Sequence, residues 1–296
     1  MSDFLTWFNS TPLIFFMQLS IIIPAYKEPH LLKTIQSLLD TSELDIEILP
    51  VLDGPWFTES FPADPRIVPI RIPHLLGMRN AINTGLKQAK GEYIMKVDAH
   101  CLFDQGFDRK MVKEMKDDWL MVPRRYSLDE TNWRRDEARP FRDYHYIEYP
   151  HKTKYGEGLT IMDWLRQDKK EIDDTMIFQG SCWLAKKDYF MKHVGYLDEQ
   201  KYGSFVGEQH EIGLKYWLGG GKIKVNKKTW YAHLSKRPKH YDNKIFDRRG
   251  KTAPETERYH TWCANHWMND GEPGMTRTFA DYINQFNPPS WKIPYK

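Results

Sequence analysis

Asp98 and His100 are the residues of this sequence whose types and spacing most directly suggest chemistry. They follow Glu92–Val97, which we predict to be a strand, and alternate side chains of an extended segment point the same way. A carboxylate and an imidazole on one side can bind a divalent cation, and this pair suits Mn²⁺ or a related first-row metal better than Ca²⁺. The alternative is that Asp98 caps a turn and His100 is an ordinary loop residue, because short Asp-x-His strings are common by chance.

Strands and helices alternate in the N-terminal half, and this alternation predicts the elements that position the pair. Leu19–Pro24 is a continuous β-branched run, which is typical of a strand buried on both faces. An apolar helical stripe follows at 31–39. The other elements predicted in this half are strands at Ile46–Leu52, Ile67–Ile72 and Glu92–Val97 and a helix at Gly77–Lys90. The pattern predicts an α/β fold with a Rossmann-like, mostly parallel sheet flanked by helices.

The second half predicts a less regular arrangement. Arg124–Asp174 is rich in aromatic and charged residues and has no clear period, so we expect a long excursion over the active face. The elements predicted after it are strands at Thr175–Ala185, Lys222–Asn226 and Thr229–Leu234 and helices at Lys187–His193, Glu208–Leu218, Pro254–Met268 and Thr276–Gln285.

Three polar stretches fall at the ends of predicted strands. They are Pro24–Glu28, Asp53–Gly54 and Asp98–His100. In open parallel sheets, ligands bind beyond the carboxyl ends of the strands. The sequence therefore predicts one ligand site at that edge of the sheet.

Four stretches in chain order resemble the nucleotide-binding half of family 2-type glycosyltransferases: Ser20–Glu28, Val51–Gly54, Gly77–Asn80 and Gly91–His100. Asp98–Cys101 departs from their usual Asp-x-Asp and is similar to the Asp-x-His-Cys string of the polypeptide N-acetylgalactosaminyltransferases. Segments downstream resemble the same enzymes: Phe178–Phe190, Gly195–Asp198, Gly207–Gly220 and Trp230–His233.

The resemblance covers residues 18–236 and implies a GT-A fold for residues 1–236. Within that domain, residues 18–123 would form the nucleotide-binding half and residues 124–236 the acceptor half. We expect residues 237–296 to form a small, basic and helical C-terminal extension packed on it, and no lectin domain.

The resemblance also implies a metal-dependent enzyme that moves a sugar from a UDP-sugar to an acceptor hydroxyl. Mn²⁺ or Mg²⁺ would be bound by Asp98, His100 and His233 and would neutralise the diphosphate leaving group. The nucleotide-sugar-binding residues would be Pro24, Ala25, Tyr26, Glu28, Asp53, Arg79 and Asp98. Asp53 would hydrogen-bond the uracil, and Arg79 would lie near the diphosphate. The residues that contact the sugar and the acceptor would be Gln179, Gly180, Trp183 and Gly207.

Glu208 and Gln209 depart from the pattern of the inverting members of this family. Those enzymes carry Glu-Asp here, and the Asp deprotonates the acceptor hydroxyl, which an amide cannot do. We therefore predict retention, and thus an α-linked product from an α-linked donor, with Glu208 and Glu211 positioning the sugar and acceptor hydroxyls. The alternative is that Glu208 is itself the base and the enzyme inverts.

A basic segment indicates the acceptor. The 296-residue chain has a net charge of +3, yet Lys222–Lys251 holds eleven Lys and Arg against two Asp, a local +9 that leaves −6 elsewhere. Aromatic residues are interleaved with these cations, which is typical of a nucleic-acid groove, although a solvated basic face is the commoner explanation of a charge run. Compact enzymes of this type occur in bacterial viruses, so 5-hydroxymethylpyrimidine in DNA is the favoured acceptor. A cell-surface polysaccharide or other glycan is the alternative, and a non-catalytic nucleotide-sugar or nucleic-acid binding protein is a remote one.

Composition excludes several other classes of protein. With 41% hydrophobic and 28% charged residues, the chain is neither disordered nor fibrous. Cys101, Cys182 and Cys263 lack any Cys-x-x-Cys pairing, which excludes a zinc knuckle and indicates a reducing compartment. The turn after the first strand carries neither the Gly-x-Gly-x-x-Gly of a dehydrogenase nor the Gly-rich loop of a nucleotidyltransferase.

The start of the sequence bears on membranes and location. Leu13–Ala25 is shorter than a membrane-spanning helix requires, and no Lys or Arg precedes Lys27 as in a secretory signal. We therefore expect no membrane partner and a cytoplasmic location, in a bacterium or an infected host cell.

Overall fold

The computed structural model describes residues 17–166, 168–203, 207–235 and 254–296. Its first elements are β1 (Leu19–Ala25), α1 (Leu31–Thr41), β2 (Ile46–Asp53), β3 (Ile70–Ile72), α2 (Met78–Gln88), β4 (Tyr93–Val97), β5 (Cys101–Phe103), α3 (Phe107–Glu114), β6 (Trp119–Asp129) and β7 (Arg134–Asp136). Those that follow are β8 (His145–Thr153), β9 (Gly156–Asp163), β10 (Ile172–Asp174), β11 (Cys182–Lys186), α4 (Lys187–His193), α5 (Glu199–Tyr202), α6 (Glu208–Leu218), β12 (Lys222–His233), α7 (Pro254–Met268) and α8 (Phe279–Phe286).

A ten-stranded sheet forms the centre, with the strand order β10-β12-β6-β11-β4-β1-β2-β3 along its main path. The strands β3, β2, β1 and β4 pair in parallel, and β12 pairs in parallel with β6. Between these two parallel groups, β11 runs antiparallel to both of its neighbours. The predicted α/β architecture with a mostly parallel sheet is confirmed.

The first strand is buried on both faces, as its unbroken β-branched run predicts. Ile21 and Ile23 belong to the core that α1 and α3 cover, whereas Ile22 belongs to the core on the α2 and α6 side. Helix α2 passes so close to β1 that a Cβ on Gly85 would lie 2.4 Å from Ile22 Cγ2. Glycine is therefore required at this crossing, because a side chain would push the helix off the sheet.

The middle of the chain is more regular than the sequence predicts. Instead of an irregular excursion, residues 124–174 include most of β6, the strand β7, the antiparallel pair β8 and β9, and β10. Many side chains of these strands are exposed or half-buried, for example in β9. The sequence therefore lacks the regular apolar pattern by which a buried strand is recognised. The helix α3 was not predicted either, and the strand expected at Thr175–Ala185 is confined to β11.

One long strand, β12, replaces two predicted strands. The break expected between them is a register shift against β6, where Asn226 pairs with Pro123 but Trp230 pairs with Arg124. Pro123 has no N–H to offer to the ladder, and a bulge is where a sheet tolerates such a residue. The shift divides β12 into the half before it, Lys222–Asn226, which we call the core half, and a second half, Trp230–His233.

The C-terminal helices pack on the rest of the molecule. On α7, His260 Nδ1 lies 2.5 Å from the carbonyl oxygen of Leu159 in β9, and Trp291, beyond α8, donates its indole N–H to the Ile147 carbonyl at 2.7 Å. Most of the basic segment that the sequence singled out falls at 236–253, outside the described residues. Within the described ranges, no helix combines the length and the apolar character needed to cross a bilayer.

Candidate active site

Strand ends bring Asp98, His100 and His233 together. Asp98 directly follows β4, and His100 directly precedes β5. The antiparallel pairing of β5 with β12 sets His233 opposite Cys101, beside them. One ligand atom from each of the three side chains lies within 4.8 Å of the others. The sequence-predicted metal ligands therefore form a single cluster.

Glu28 orients His100 within this cluster. Its Oε2 lies 3.0 Å from His100 Nδ1, and the carboxylate is buried. A carboxylate can only accept, so Nδ1 carries the proton and the Nε2 lone pair faces Asp98, whose Oδ2 is 3.9 Å away. A carboxylate behind a histidine is the usual support of a metal-binding imidazole. Glu28, which the resemblance predicts to line the nucleoside, lies behind His100 in the structure.

His233 lies between Asp98 and an arginine that sequence reasoning missed. Its Nε2 is 3.1 Å from Asp98 Oδ2, and its Nδ1 is 3.3 Å from Arg125 Nη2. A guanidinium only donates, so Nδ1 accepts and Nε2–H points to Asp98. A cation at Nε2 requires the other tautomer and loss of the Arg125 contact.

The donor set fits a first-row divalent cation. Burial lowers the pKa of His233 to about 3 despite the opposing effect of Asp98, so the ring is neutral, as a metal ligand must be. Two imidazoles and one carboxylate suit Mn²⁺ better than Ca²⁺.

A buried lysine links the cluster to α6. Lys96 Nζ donates to Asp98 Oδ1 at 2.7 Å, to the Gly180 carbonyl at 2.8 Å and to Glu208 Oε2 at 3.0 Å. Burial alone would lower the pKa of Lys96, but the charges of Asp98 and Glu208 outweigh it and raise that pKa. Burial would likewise raise the pKa of Asp98, yet Lys96 and His233 hold it well below its usual range. Asp98 is therefore a fixed carboxylate at neutral pH.

The start of α6 gathers most of the residues predicted to contact sugar and acceptor. Glu208 Oε1 accepts the indole N–H of Trp183 at 2.7 Å. A Cβ on Gly180 would lie 3.2 Å from Glu208 Oε2 and 3.4 Å from Gln209 Oε1, so this segment passes directly over the helix start. Burial raises the pKa of Glu208, and Lys96 and Trp183 only partly offset it. Gln179 lies beside them and accepts the Ser181 N–H at 3.2 Å.

Tyr259 of α7 covers the residue before α6. Gly207 has a φ of +75°, and a Cβ there would come within 1.9 Å of Tyr259 Oη. The same hydroxyl lies 3.2 Å from His210 Nδ1. The C-terminal extension thus forms one wall of the α6 helix start.

Glu211 and Arg79 are buried and pair with each other. They form an ion pair, and neither side chain is exposed. Glu211 Oε1 also accepts from Lys215 Nζ at 2.9 Å and from the Asp198 N–H at 3.0 Å. The Arg79 guanidinium lies 4.8 Å from the centroid of the Tyr202 ring. Arg79 thus neutralises Glu211, and the roles predicted for the two residues, at the diphosphate and at the sugar, stay predictions.

The residues expected around the nucleoside lie at the ends of β1 and β2. Asp53 is buried and accepts the N–H groups of Leu76 and Gly77, each at 2.7 Å, so it fixes the turn before α2. Each carboxylate oxygen keeps a second lone pair. Pro24 and Ala25 end β1, and the ring of Tyr26 follows, half-buried with Lys27 Nζ 5.1 Å from its centroid.

Comparison with protein families gives one match to more than half of the chain. Residues 20–194 match the model of glycosyl transferase family 2. Human polypeptide N-acetylgalactosaminyltransferase 9 is 26% identical over 219 residues, which are 70% of this chain and 34% of the relative. The uncharacterized glycosyltransferase EpsJ of Bacillus subtilis (strain 168) is 35% identical over 109 residues, 35% of this chain and 32% of that protein. The chain thus spans about a third of the length of these curated relatives.

A solved structure shares the fold. The crystal structure of GalNAc-T7 with UDP, GalNAc and Mn²⁺ superposes with a TM-score of 0.56 at 16% identity, covering 75% of this chain and 44% of that one. At this identity the likeness concerns the fold alone, and it confirms the predicted GT-A architecture.

Proposed function

The chain belongs to glycosyl transferase family 2, and on that premise we propose that it transfers a sugar from a UDP-sugar to an acceptor hydroxyl with the help of a divalent cation. The observation that carries the proposal is the cluster of Asp98, His100 and His233, held by Lys96 at the carboxyl end of β4. A nucleotide-sugar site is expected at this edge of an open α/β sheet.

The three residues of the cluster would hold Mn²⁺ or Mg²⁺. When bound, the cation would neutralise charge on the departing nucleoside diphosphate. GalNAc-T7 was crystallised with UDP and Mn²⁺, which supports the same donor class and metal here. Tyr26 and Asp53 would bind the uridine, because they lie at the ends of the neighbouring strands β1 and β2.

The other residues of the site prepare and orient the reacting groups. Lys96 keeps Asp98 ionised, and Glu28 fixes the tautomer of His100. Trp183 and Lys96 each donate to one oxygen of Glu208 and so orient this carboxylate, which would position the donor sugar. In the sequence, Gln209 occupies the position at which inverting members of the family carry an Asp base, and an amide cannot take a proton, which supports retention of the anomeric configuration.

The stereochemistry can be tested directly. Both Glu208 oxygens already accept hydrogen bonds, which favours a positioning role over that of a base. Proton NMR of the fresh product should show the small anomeric coupling of an α-linkage from an α-linked donor. A β-linked product would support the alternative, in which Glu208 is the base and the enzyme inverts.

The sequence favours hydroxymethylated DNA as the acceptor, and we keep this as a proposal. The described residues give it little support. Lys224, on the core half of β12, pairs with Asp174 at 2.8 Å, and Lys228, within the register shift, pairs with Glu114 at 2.7 Å. Tyr231, one of the aromatic residues interleaved with these cations, is buried with its hydroxyl 2.7 Å from Ser181 Oγ. Most cations of the segment lie at 236–251, outside the described residues, and a glycan is the alternative acceptor.

Asp98→Asn is the variant that tests the proposed function. Hydrolysis of a panel of UDP-sugars with Mn²⁺ should fall about 100-fold or more, because the ionised ligand is lost from the cluster. Circular dichroism should show an intact fold, and Asp168→Asn, at an exposed aspartate, should keep full activity. If Asp98→Asn hydrolyses the donor as fast as the wild type, the site is assigned wrongly.

A further inference from the structure

A concave pocket of about 260 Å³ opens beside His233. Its wall includes Arg125, Ser127, Arg139, Arg142, Asp163 and Ser235. We call it the arginine pocket. None of these residues belongs to the motifs by which the chain resembles its family.

The arginine pocket shares Arg125 with the metal cluster. In the second half of β12, His233 pairs with Cys101 of β5 on one side and with Ser127 of β6 on the other. His100 and its partner Glu28 lie on the β5 side, whereas Arg125 and Ser127 lie on the β6 side. Alternate residues of a strand point to the same face, so Arg125 and Ser127 lie on one face of β6, and both line the pocket together with Tyr126 between them. The pocket therefore lies across His233 from the predicted donor residues.

The charges around the pocket are unevenly balanced. Arg142 Nε lies 2.5 Å from Asp163 Oδ2, and Arg139 Nε lies 3.2 Å from Asp136 Oδ2. Arg125 has no carboxylate within ion-pair distance among the described residues, and its buried Nε has no hydrogen-bond partner there. A partly buried guanidinium without an anion is costly, and a bound anion would remove that cost.

The size of the pocket limits what can fill it. Pockets for drug-sized ligands measure roughly 300–1,000 Å³. At about 260 Å³ this one has room for one monosaccharide-sized group, not for a nucleic-acid duplex. Guanidinium groups match the planar geometry of carboxylates and the oxygens of phosphates, so the charged part of such a group would meet Arg125, Arg139 and Arg142.

We propose that the arginine pocket binds a phosphate or carboxylate carried on the acceptor, which makes the acceptor an acidic glycan. This inference rests on the proposed glycosyltransferase function. A cation on His233 Nε2 would leave Arg125 without its acceptor at Nδ1, and the guanidinium would then be free for the anion.

Glucose 6-phosphate, glucuronate and glucose are suitable probes, each titrated calorimetrically into protein saturated with UDP and Mn²⁺. The two charged sugars should bind at least tenfold more tightly than glucose. The double variant Arg139→Gln/Arg142→Gln should lose that tenfold preference, and Arg139→Gln alone should lose part of it. Arg109→Gln, at an exposed arginine of α3 paired with Glu43, is the matched control and should bind as the wild type does.

Three results would overturn the inference. The first is equal binding of charged and neutral sugars. The second is binding of glucose 6-phosphate that disappears once UDP and Mn²⁺ are added, which would assign the pocket to the donor diphosphate. The third is binding of a hydroxymethylated single-stranded oligonucleotide, weakened in the double variant, by a protein that binds none of the sugars. Failure of UDP and Mn²⁺ to bind the wild type is a separate result, which would contradict the proposed function. The pocket would then be tested by the same sugar titrations carried out in the absence of UDP.

Discussion

Glu208 and Glu211 lie one turn apart on α6, and both are buried, yet their surroundings differ. Glu208 shares a single cation, Lys96, with Asp98. Glu211 meets two cations, Arg79 and Lys215, and Lys215 is also 3.5 Å from Glu272. The first group has two carboxylates for one ammonium, whereas the second has two of each sign.

The difference separates a group of charges that can take a ligand from one that holds the fold. The group around Lys96 holds two carboxylates against one ammonium, an imbalance that a divalent cation would offset. The group around Glu211 is balanced without any ligand. In a balanced group each buried charge needs its partner. Removing one side chain leaves the opposite charge buried and unpaired, which destabilises the fold.

Glu211→Gln should have the largest effect on stability. The change leaves Arg79 buried without its carboxylate, so we expect the free energy of unfolding to fall by about 3–5 kcal/mol in urea titrations. Glu137→Gln, at an exposed carboxylate paired with Arg135, should change it little. An equally small change in Glu211→Gln would mean that the two groups of charges do not differ as proposed.

Glu208→Gln should separate activity from stability. Lys96 keeps Asp98 as a partner, and the amide oxygen can still accept one hydrogen bond, so we expect a smaller loss of stability than in Glu211→Gln. Donor turnover should fall about 100-fold, because the carboxylate that we propose positions the sugar is lost. Urea titration and initial rates on one preparation measure both quantities. Unchanged turnover would place Glu208 with the structural carboxylate.

His210 lies on α6 between the two carboxylates and should give a smaller effect that depends on pH. Burial lowers its pKa from 6.5 to about 3. The unfolded chain therefore binds the extra proton first, so the stability contributed by His210 is complete above pH 6.5 and is lost as the pH falls toward 3. At pH 5 the loss should be about 2 kcal/mol.

Comparison with His210→Gln isolates this contribution. Between pH 7 and pH 5 the free energy of unfolding of the variant should fall less steeply than that of the wild type, with His74→Gln, at an exposed histidine, as the control. Parallel slopes in wild type and His210→Gln would show that His210 can be protonated in the folded protein.

The sequence predicts the elements whose burial has a clear period and the residues at their ends. β1, α1, α2, β4 and α6 are found close to their predicted positions, because an apolar stripe or run marks each one. Asp98 and His100 could be found because a strand end sets their direction. The pair β8 and β9 could not, since half-exposed aromatic and charged residues give no period.

The site could be predicted from the sequence only in part, because several of its contacts join residues that are far apart in the chain. Arg79 meets Glu211 across 132 positions, and Glu28 meets His100 across 72, distances over which no local pattern identifies a partner. Lys96 did leave a signal, because a lysine inside the apolar strand Tyr93–Val97 requires a carboxylate nearby. Arg125 left none, since one arginine among several in β6 is not distinctive.

The contact between Gly207 and Tyr259 links two segments that the sequence keeps 52 positions apart. A side chain at 207 collides with the tyrosine hydroxyl, and a smaller residue at 259 would open a space over the start of α6. Among diverging homologues the two positions should therefore vary together, with bulk at one balanced by loss at the other. Helix α7 and the part of the chain that carries α6 would then have to evolve together. Exchange of either segment between relatives should give a folded protein only when positions 207 and 259 are exchanged together.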